Sequence, residues 1–379
     1  MHLERLELLN FKNYEEAALQ FSPEINCLVG PNGSGKTNLL DALYFLSLTK
    51  SAFLTSDQQA VQHGAKLLAI RAWVKLEDNT DKLICSVQAG QRKLFKNNGQ
   101  DYERLSDHIG KYPVVLIAPN DTDIIREGSE VRRKFFDGVL AQLNHNYLST
   151  LLKYNHVLKQ RNSLLKQFAE PGRRADLELL EPFTQQLLQL GNILVDARLK
   201  LLQDFMPRFN HHYKNLTDDK EVVSIEYRST LDVDNPAETM QQAVAKDLVL
   251  QRSTVGVHRD EYNFKLAGHS LKRYGSQGQQ KSFLIALKLA QFDLLRDANG
   301  FKPILLLDDI FDKLDDFRMT RLMALVSGHA FGQIFVTDAR PERSVAIFKP
   351  LADTEVRYFA VEEGKVEQVD MNSLLPGNA

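Results

Sequence analysis

The hydrophobic pattern of the first 120 residues predicts β-strands around a single helix. Residues 37–48 place apolar side chains three and four positions apart, which is the period of an α-helix. Asn98-Gly99 separates two short runs within residues 92–105, and this dipeptide is the strongest short signal for a β-hairpin. The other strand patterns cover residues 3–11, 25–30, 66–77, 81–90 and 112–119.

In the middle of the chain the apolar residues follow a helical period. From residue 132 to residue 206, leucine and aromatic residues recur at three- and four-residue steps. EPGRR at residues 170–174 interrupts the pattern, which predicts a helical hairpin with a turn at these residues. Packing of one helix on the other accounts for the apolar stripes of both.

The last part of the chain alternates between strand and helix patterns, which is typical of βαβ units. We expect the strands on both sides of the helical hairpin to share one sheet. Residues 1–118 and 245–379 would then form one α/β domain, and residues 119–244 a mainly helical insertion. The predicted order is strand 221–229, strand 261–268, helix 282–297, strand 303–310, helix 316–328 and strand 332–339.

Composition excludes several classes of protein. The chain has 379 residues, of which 43% are hydrophobic and 25% charged, as in ordinary globular proteins. The net charge of −2 means that any contact with nucleic acid must come from a local patch of charge. No apolar run reaches the roughly 18 residues of a membrane span, and the N-terminus lacks a signal-peptide pattern. Cys27 and Cys85 are expected to be ordinary thiols, which fits a reducing cytoplasm.

Residues 30–38 read GPNGSGKTN and match the pattern G-x-x-x-x-G-K-[ST] of a phosphate-binding loop. Glycines allow backbone N–H groups to turn inward around a phosphate chain. We expect Lys36 to reach the β- and γ-phosphates of a nucleotide and the Thr37 hydroxyl to hold Mg²⁺. A strand before the loop and a helix after it complete an anion site. The predicted contacts are Gly30, Pro31, Asn32, Gly33, Ser34, Gly35, Lys36, Thr37 and Asn38.

A second candidate site is ILLLDD at residues 304–309, an apolar strand that ends in two acids. At the carboxyl edge of a parallel sheet, this strand would place Asp308 beside the phosphate-binding loop. Asp308 is expected to hold Mg²⁺ through its waters, and Asp309 to orient or deprotonate the attacking water. A strand followed by an acidic turn without a catalytic role is the alternative.

SQGQ at residues 276–279 precedes a long helix and resembles the signature motif of ABC-type ATPases. In that family the signature contacts the γ-phosphate held by the other subunit, which implies roles for Ser276, Gly278 and Gln279. KLD at 313–315 is similar to the D-loop of the family and adds Asp315 to the nucleotide contacts. Taken alone, Ser276 could simply cap the following helix.

Several longer segments resemble the RecF family of bacterial recombination mediators. The resemblance covers at least residues 3–340. It departs from the family at Glu130, where proline is usual, and at Asp312-Lys313, where Ser-Glu is usual. The segments are LLNFKNYEEAALQFSPEINCLVGPNGSGKTNLLDAL, PNDTDIIREGSEVRRKFFD, GVHRDEYNF and LLLDDIFDKLD.

The resemblance implies an ABC-type P-loop ATPase head, called lobe I, with an inserted mainly helical lobe II that lacks a long coiled coil. It further implies binding of ATP and Mg²⁺ and an ATP-dependent head-to-head homodimer that clasps double-stranded DNA near gaps. With RecO and RecR, such a dimer helps to load RecA, and hydrolysis of ATP then opens the dimer. By analogy with related ATPases, Lys12 and Asn13 would approach the nucleotide, although a simple turn is equally compatible with these residues.

Two further family positions are not clear from the sequence. No glutamine follows Pro119 where the Q-loop is expected, so Asn120 or Asp121 would have to serve. The switch histidine of transporter ATPases has no counterpart, since its position falls near Thr337-Asp338.

A local excess of positive charge marks the start of the helical insertion. Between Arg126 and Arg174 the chain carries ten Lys or Arg and four Asp or Glu. Such residues can contact the phosphates of DNA without reading its sequence. An ordinary solvated helix face, or structural roles for Arg132 and Arg133, are the alternatives. The candidate DNA contacts are Arg132, Arg133, Lys153, Lys159, Arg161, Arg173 and Arg174.

Four other functions compete with the prediction of a RecF-type ATPase. A transporter ATPase subunit would need a clear Q-loop glutamine and switch histidine. An ATPase–nuclease would need a further metal-binding domain after the ATPase. A nucleotide-gated DNA clamp without catalysis would not need Lys36, Thr37, Asp308 and Asp309 together. An ABC-type ATPase of another DNA-maintenance or transport system is the remaining alternative to a RecF-type ATPase.

Overall fold

The computed structural model describes residues 1–170, 175–217, 221–311, 316–327, 330–351 and 354–375. The chain forms two compact units. The first comprises Met1–Asp121 and Gln291–Ala379, and the second comprises Thr122–Ala290. In the described part of the chain, no helix combines the length and the hydrophobicity that crossing a membrane requires.

The N-terminal part of the first unit consists of strands and one long helix, as the sequence predicts. The strand patterns at 3–11, 25–30, 66–77, 81–90 and 112–119 all form strands, and 37–48 forms a helix. The elements are β1 (His2–Phe11), β2 (Tyr14–Gln20), β3 (Ile25–Val29), α1 (Lys36–Leu48), β4 (Leu67–Leu76), β5 (Asn79–Gln88), β6 (Leu94–Asn97), β7 (Gln100–Asp101) and β8 (Val114–Ile117).

The second unit is mainly helical and contains a small three-stranded sheet in the order β11-β10-β9. Its elements are α2 (Asp123–Arg126), α3 (Ser129–Leu143), α4 (His145–Phe168), α5 (Glu181–Thr217), β9 (Val223–Arg228), α6 (Pro236–Gln242), α7 (Val244–Leu250), β10 (Glu261–Leu266), β11 (His269–Ser270), α8 (Leu271–Tyr274) and α9 (Gln277–Asn299), of which the last residues return to the first unit.

The C-terminal part of the first unit adds four strands and two helices. They are β12 (Ile304–Leu307), α10 (Asp316–Ser327), β13 (Ile334–Asp338), α11 (Pro341–Phe348), β14 (Val356–Glu362) and β15 (Lys365–Val369).

Strands from both ends of the chain share one sheet in the first unit, as predicted. Its order is β15-β14-β3-β13-β12-β8, with every neighbouring pair parallel except β14 and β15. All residues of β3, β8, β12 and β13 are buried, which explains why their sequences are mostly apolar. The other sheet is antiparallel, in the order β2-β1-β4-β5-β6-β7. One hydrophobic core includes residues of both sheets and of α1.

The turn between β6 and β7 confirms the hairpin signal. Asn98 and Gly99 both have positive φ, of 51° and 82°. A type I′ turn requires this conformation at both central residues, and asparagine and glycine adopt it most readily.

In the second unit, α4 and α5 form the predicted helical hairpin. Arg161 contacts Thr184, and Tyr147 contacts Arg198, so the two helices run antiparallel. Gly191 lies on α5 between Thr184 and Arg198. A Cβ atom at this position would come within 2.5 Å of Leu231 and 3.7 Å of the Tyr154 ring. Glycine therefore allows the Leu231 side chain to pack closely on α5, and a larger residue would require that side chain to shift. The predicted turn at 170–174 lies mostly outside the described residues.

Arg198 is the centre of a buried polar network that the sequence did not reveal. Its guanidinium contacts Asp137 on α3 at 2.8 Å and Asp260, just before β10, at 2.6 Å. The Asp260 carboxylate also accepts hydrogen bonds from Tyr227 and Ser229. Removing one partner from such a network leaves a buried charge uncompensated, which typically costs about 3–5 kcal/mol. The network therefore fixes the small sheet to the helices of the same unit.

The second unit is longer than the predicted insertion of residues 119–244. It continues to Ala290 because β10 pairs with β9 along its whole length and α7 packs on α4. Strands β2, β14 and β15 were not predicted. The YEEAALQ sequence of β2 places two adjacent acids on an exposed stretch, which obscures the alternation.

A candidate nucleotide site at one edge of the parallel sheet

The loop between β3 and α1 has the backbone conformation that its glycines permit. Gly30, Gly33 and Gly35 have φ of 150°, 82° and 119°, where other residues are strained. A Cβ atom on Gly30 would lie 2.1 Å from the Val361 carbonyl oxygen. The loop therefore depends on glycine both for its conformation and for its close approach to β14. It leads directly into the N-terminus of α1, where an anion is favoured.

Asn13 and Tyr14 brace this loop from the turn between β1 and β2. The Asn13 amide donates to the Ser34 carbonyl at 3.0 Å and accepts from the Asn38 amide at 2.7 Å. The Tyr14 hydroxyl donates to the Gly35 carbonyl at 3.0 Å. The observed contacts of Asn13 therefore hold the loop in shape, and its predicted approach to a nucleotide stays a proposal.

Lys12 makes a different contact from the one expected. Its ammonium group lies 2.7 Å from the buried carboxylate of Asp41, in the middle of α1. The side chain thus ties the β1–β2 turn to α1. A direct contact between Lys12 and a nucleotide stays a proposal.

Lys36 is held inside the loop. Its Nζ atom donates to the carbonyl oxygens of Gly30 and Pro31 at 2.7 and 2.8 Å. Burial lowers the pKa of Lys36, and the nearby carboxylates of Asp309 and Asp308 act in the opposite direction. A phosphate chain would offer this ammonium group charged acceptors, which form stronger hydrogen bonds than carbonyl oxygens.

Asp308 follows β12 and meets the phosphate-binding loop. The Thr37 hydroxyl contacts the two carboxylate oxygens of Asp308 at 2.9 and 3.1 Å. Burial raises the pKa of Asp308, whereas hydrogen bonds from Thr337 and Thr37 lower it. A hydroxyl and a carboxylate at this distance are oxygen ligands of the kind that Mg²⁺ prefers. The residues present therefore fit the predicted metal ion, which would bring charge to the phosphate oxygens.

Asp309 occupies a strained backbone position beside the loop. Its φ of 48° lies in the left-handed region, which is uncommon for residues other than glycine. Asp309 lines the same cleft as Lys36 and Thr37, together with Asn32, Pro119 and Thr337. Strain of this kind persists where surrounding contacts enforce it, and it is common at active sites. The carboxylate is thus available to a group bound in the cleft.

Thr337 contacts both acids and was not predicted as a site residue. Its hydroxyl donates to Asp308 Oδ1 at 2.8 Å and accepts from the backbone N–H of Asp309 at 2.8 Å. The available signal was the position of Thr337, a polar residue at the end of the strand beside β12. Asp338, at the predicted switch position, binds Arg343 and Ser344 instead.

The two candidates for the Q-loop differ in their surroundings. Asp121 accepts a hydrogen bond from the backbone N–H of Ala118 at 2.8 Å and is half-buried. Asn120 is exposed at the end of β8, next to Pro119 of the cleft. Asp121 therefore has a local structural role, and Asn120 is the better candidate to reach a ligand.

The SQGQ motif forms a capped helix N-terminus in the second unit. The Ser276 hydroxyl accepts from the Gln279 N–H at 3.2 Å, and the Gln279 amide oxygen accepts from the Ser276 N–H at 2.7 Å. This reciprocal capping box explains the residue types at both positions. Ser276 is exposed, and Gly278 is half-buried as the second residue of α9. The cap is compatible with a signature function, because it presents a hydroxyl and a helix N-terminus to an anion.

The candidate DNA contacts fall into distinct groups. Arg161 is fully buried, with its guanidinium 2.7 Å from Asp247 on α7, so its prediction as a DNA contact was wrong. Arg132 and Arg133 are half-buried and donate to the carbonyls of Glu127 and Asp260. Lys153 and Lys159 are exposed on α4. Arg173 and Arg174 lie outside the described residues. So does Asp315, which was predicted to contact the nucleotide and not DNA.

Comparison with known proteins finds a family that covers nearly the whole chain. The family model described as the RecF/RecN/SMC N-terminal domain matches residues 2–364. The DNA replication and repair protein RecF of Flavobacterium johnsoniae is 45% identical over 354 residues, which are 93% of this chain and 98% of the relative.

Two solved structures are similar to this chain in fold. A structure of the recombination mediator protein RecF with ATPrS, from the RecFOR pathway, matches with a TM-score of 0.87 and 27% identity, covering 97% of this chain and 98% of the other. The Smc head domain of Pyrococcus furiosus matches with a TM-score of 0.55 and 17% identity, covering 98% and 97%. The second likeness shows the fold alone.

Replacing Asp309 with asparagine tests the role of the second acid. The amide keeps the size of the side chain but cannot accept a proton, so kcat for ATP hydrolysis should fall at least about 100-fold. The affinity for ATP, measured with a fluorescent analogue, should stay within about 3-fold because Lys36 and the loop are unchanged. Asp78→Asn, on an exposed turn of the same unit, is the control. Turnover by Asp309→Asn at the rate of this control would contradict the assignment.

Proposed function

The chain belongs to the RecF family, and from this premise we propose that it is an ATP-hydrolysing, DNA-binding protein of replication and repair. The observation that carries the proposal is the meeting of Lys36, Thr37, Asp308 and Asp309 at one sheet edge. Phosphate binding alone would not require two acids beside the loop. Their presence supports hydrolysis, because Thr37 and Asp308 would hold a metal ion that supplies positive charge to the phosphates, and Asp309 would orient or deprotonate the attacking water.

Binding of ATP would control association of two copies of the chain. The cap formed by Ser276 and Gln279 places the Ser276 hydroxyl at a helix N-terminus, which makes it a candidate anion site. A γ-phosphate bound in the loop of a second copy would complete it, with Gly278 allowing close approach and Asp315 contributing at the interface. Dimerisation would thus require ATP, and hydrolysis would release the dimer.

The dimer would hold double-stranded DNA by its phosphates, preferentially near single-strand gaps. Lys153 and Lys159 support this role because they are exposed on α4. Arg132 and Arg133 are half-buried and serve the structure first. We further propose that RecR, with RecO, joins the complex to promote loading of RecA, and that DNA stimulates a slow ATPase. Action on DNA implies a location in the cytoplasm.

A double substitution on α4 tests the DNA surface. Lys153→Gln with Lys159→Gln should weaken binding to duplexes of any sequence, because phosphate contacts carry no sequence information. The slope of log K against log salt should become shallower by about 0.9 for each lost contact. Lys66→Gln with Lys349→Gln removes the same charge from exposed sites in the first unit.

Fluorescence anisotropy with labelled gapped duplex, at several salt concentrations, gives both quantities. An affinity loss equal to that of the control pair, with an unchanged slope, would show that α4 does not contact DNA.

Ser276→Arg tests dimerisation separately from nucleotide binding. The bulky guanidinium should block a second copy at this helix end, so the protein should bind ATP normally, stay monomeric and lose turnover. Asn235→Arg is a matched control, because Asn235 caps α6 in the same way and its replacement also removes a cap. Light scattering during an ATP titration measures the state of both variants. Normal ATP-dependent dimers of Ser276→Arg would show that SQGQ is only a helix cap.

A further inference from the structure

We propose that Thr337 is a positioning residue that holds both acids in register for ATP hydrolysis. This inference rests on the proposed ATPase function and assigns a role at the same site. It concerns the position where transporter ATPases carry the switch histidine and where this chain has Thr337-Asp338.

The contacts of Thr337 use one hydroxyl group for two purposes. The hydroxyl hydrogen bonds to Asp308 Oδ1, so the oxygen remains free to accept a hydrogen bond from the Asp309 N–H. Thr337 is 1% exposed, and therefore water does not replace either bond. Asp308 Oδ1 also receives the Thr37 hydroxyl, which links Thr337 to the phosphate-binding loop through a single carboxylate oxygen.

The bond to Asp309 acts on a strained backbone. The left-handed conformation of Asp309 costs on the order of 1–3 kcal/mol and must be enforced by its surroundings. A hydroxyl oxygen that accepts the Asp309 N–H fixes the peptide plane that enters Asp309, because turning this plane would leave the N–H buried and unpaired. Thr337 thereby sets the direction in which the Asp309 side chain leaves the backbone.

The sheet explains why Thr337 can reach both groups. Leu307 at the end of β12 pairs with Val336 in the parallel ladder, so the next residues of the two strands, Asp308 and Thr337, lie side by side. On its other side, Thr337 pairs with Leu28 of β3, which precedes the phosphate-binding loop. Thr337 therefore lies on β13, which pairs both with β12, the strand before the two acids, and with β3, the strand before the phosphate-binding loop.

Such contacts to a metal ligand typically change metal affinity or activity 10- to 100-fold when removed. Thr337→Val keeps the branched shape and removes the hydroxyl. We expect kcat to fall by about 10- to 100-fold, while the affinity for ATP without Mg²⁺ stays within about 3-fold. The Mg²⁺ concentration that half-saturates the binding of a fluorescent, non-hydrolysable ATP analogue should rise by about 10-fold.

Thr337→Ser separates the hydroxyl from the shape of the side chain. It keeps the hydroxyl and loses the methyl group, so kcat should return to within about 3-fold of the unmodified protein. Ser344→Ala removes another buried hydroxyl at this sheet edge, one that binds Asp338 and neither acid of the cleft. Ser344→Ala should keep the kcat and the Mg²⁺ dependence of the unmodified protein. Its loss of thermal stability should be comparable to that of Thr337→Val.

Equal kcat and Mg²⁺ dependence in Thr337→Val and the unmodified protein would overturn the inference. So would equal losses in Thr337→Ser and Thr337→Val, since the shape rather than the hydroxyl would then matter. If Thr337→Val does not fold, Thr337→Ser against Thr337→Ala, which differ by one oxygen atom, decides the question. Absence of turnover in the unmodified protein would instead contradict the proposed ATPase function.

Discussion

The hydrogen bonds between Thr37, Asp308 and Thr337 connect the first turn of α1 to the carboxyl ends of β12 and β13. Parallel pairing makes this meeting unavoidable, because β3, β13 and β12 are adjacent and point the same way. The phosphate-binding loop follows β3, the acids follow β12, and Thr337 is the penultimate residue of β13. A chain that forms this sheet in this order therefore brings the residues of the candidate nucleotide site together.

The second unit shows how family resemblance can mark structural residues as well as functional ones. The RRKFFD and GVHRDEYNF segments contain Asp137 and Asp260, and both carboxylates bind Arg198. These two acids therefore have structural roles inside the second unit. The same holds for Arg161, whose charge is neutralised by Asp247 inside the unit. The positive charge counted along the sequence was therefore larger than the charge that the surface offers to DNA.

The sequence predicted what depends on short-range patterns. Continuous apolar strands, the glycines of the loop and the Asn98-Gly99 turn each have a local physical cause, and the structure confirms all three. The contacts that depend on distant pairing were missed. Arg198 lies more than 50 residues from both Asp137 and Asp260, and its burial has no local signature. Thr337 contacts the two acids only because β13 pairs with β12 in the folded sheet.

The nucleotide site is the basis of every functional proposal made for this chain. Phosphate release from ATP by the purified protein, followed while free Mg²⁺ is varied with and without gapped duplex DNA, examines it without any substitution. Hydrolysis should require Mg²⁺, because Thr37 and Asp308 offer oxygen ligands, and it should increase when DNA is added. Release that persists after Mg²⁺ is chelated, or no release at saturating Mg²⁺ with DNA present, would contradict the assignment of this sheet edge as an ATPase site.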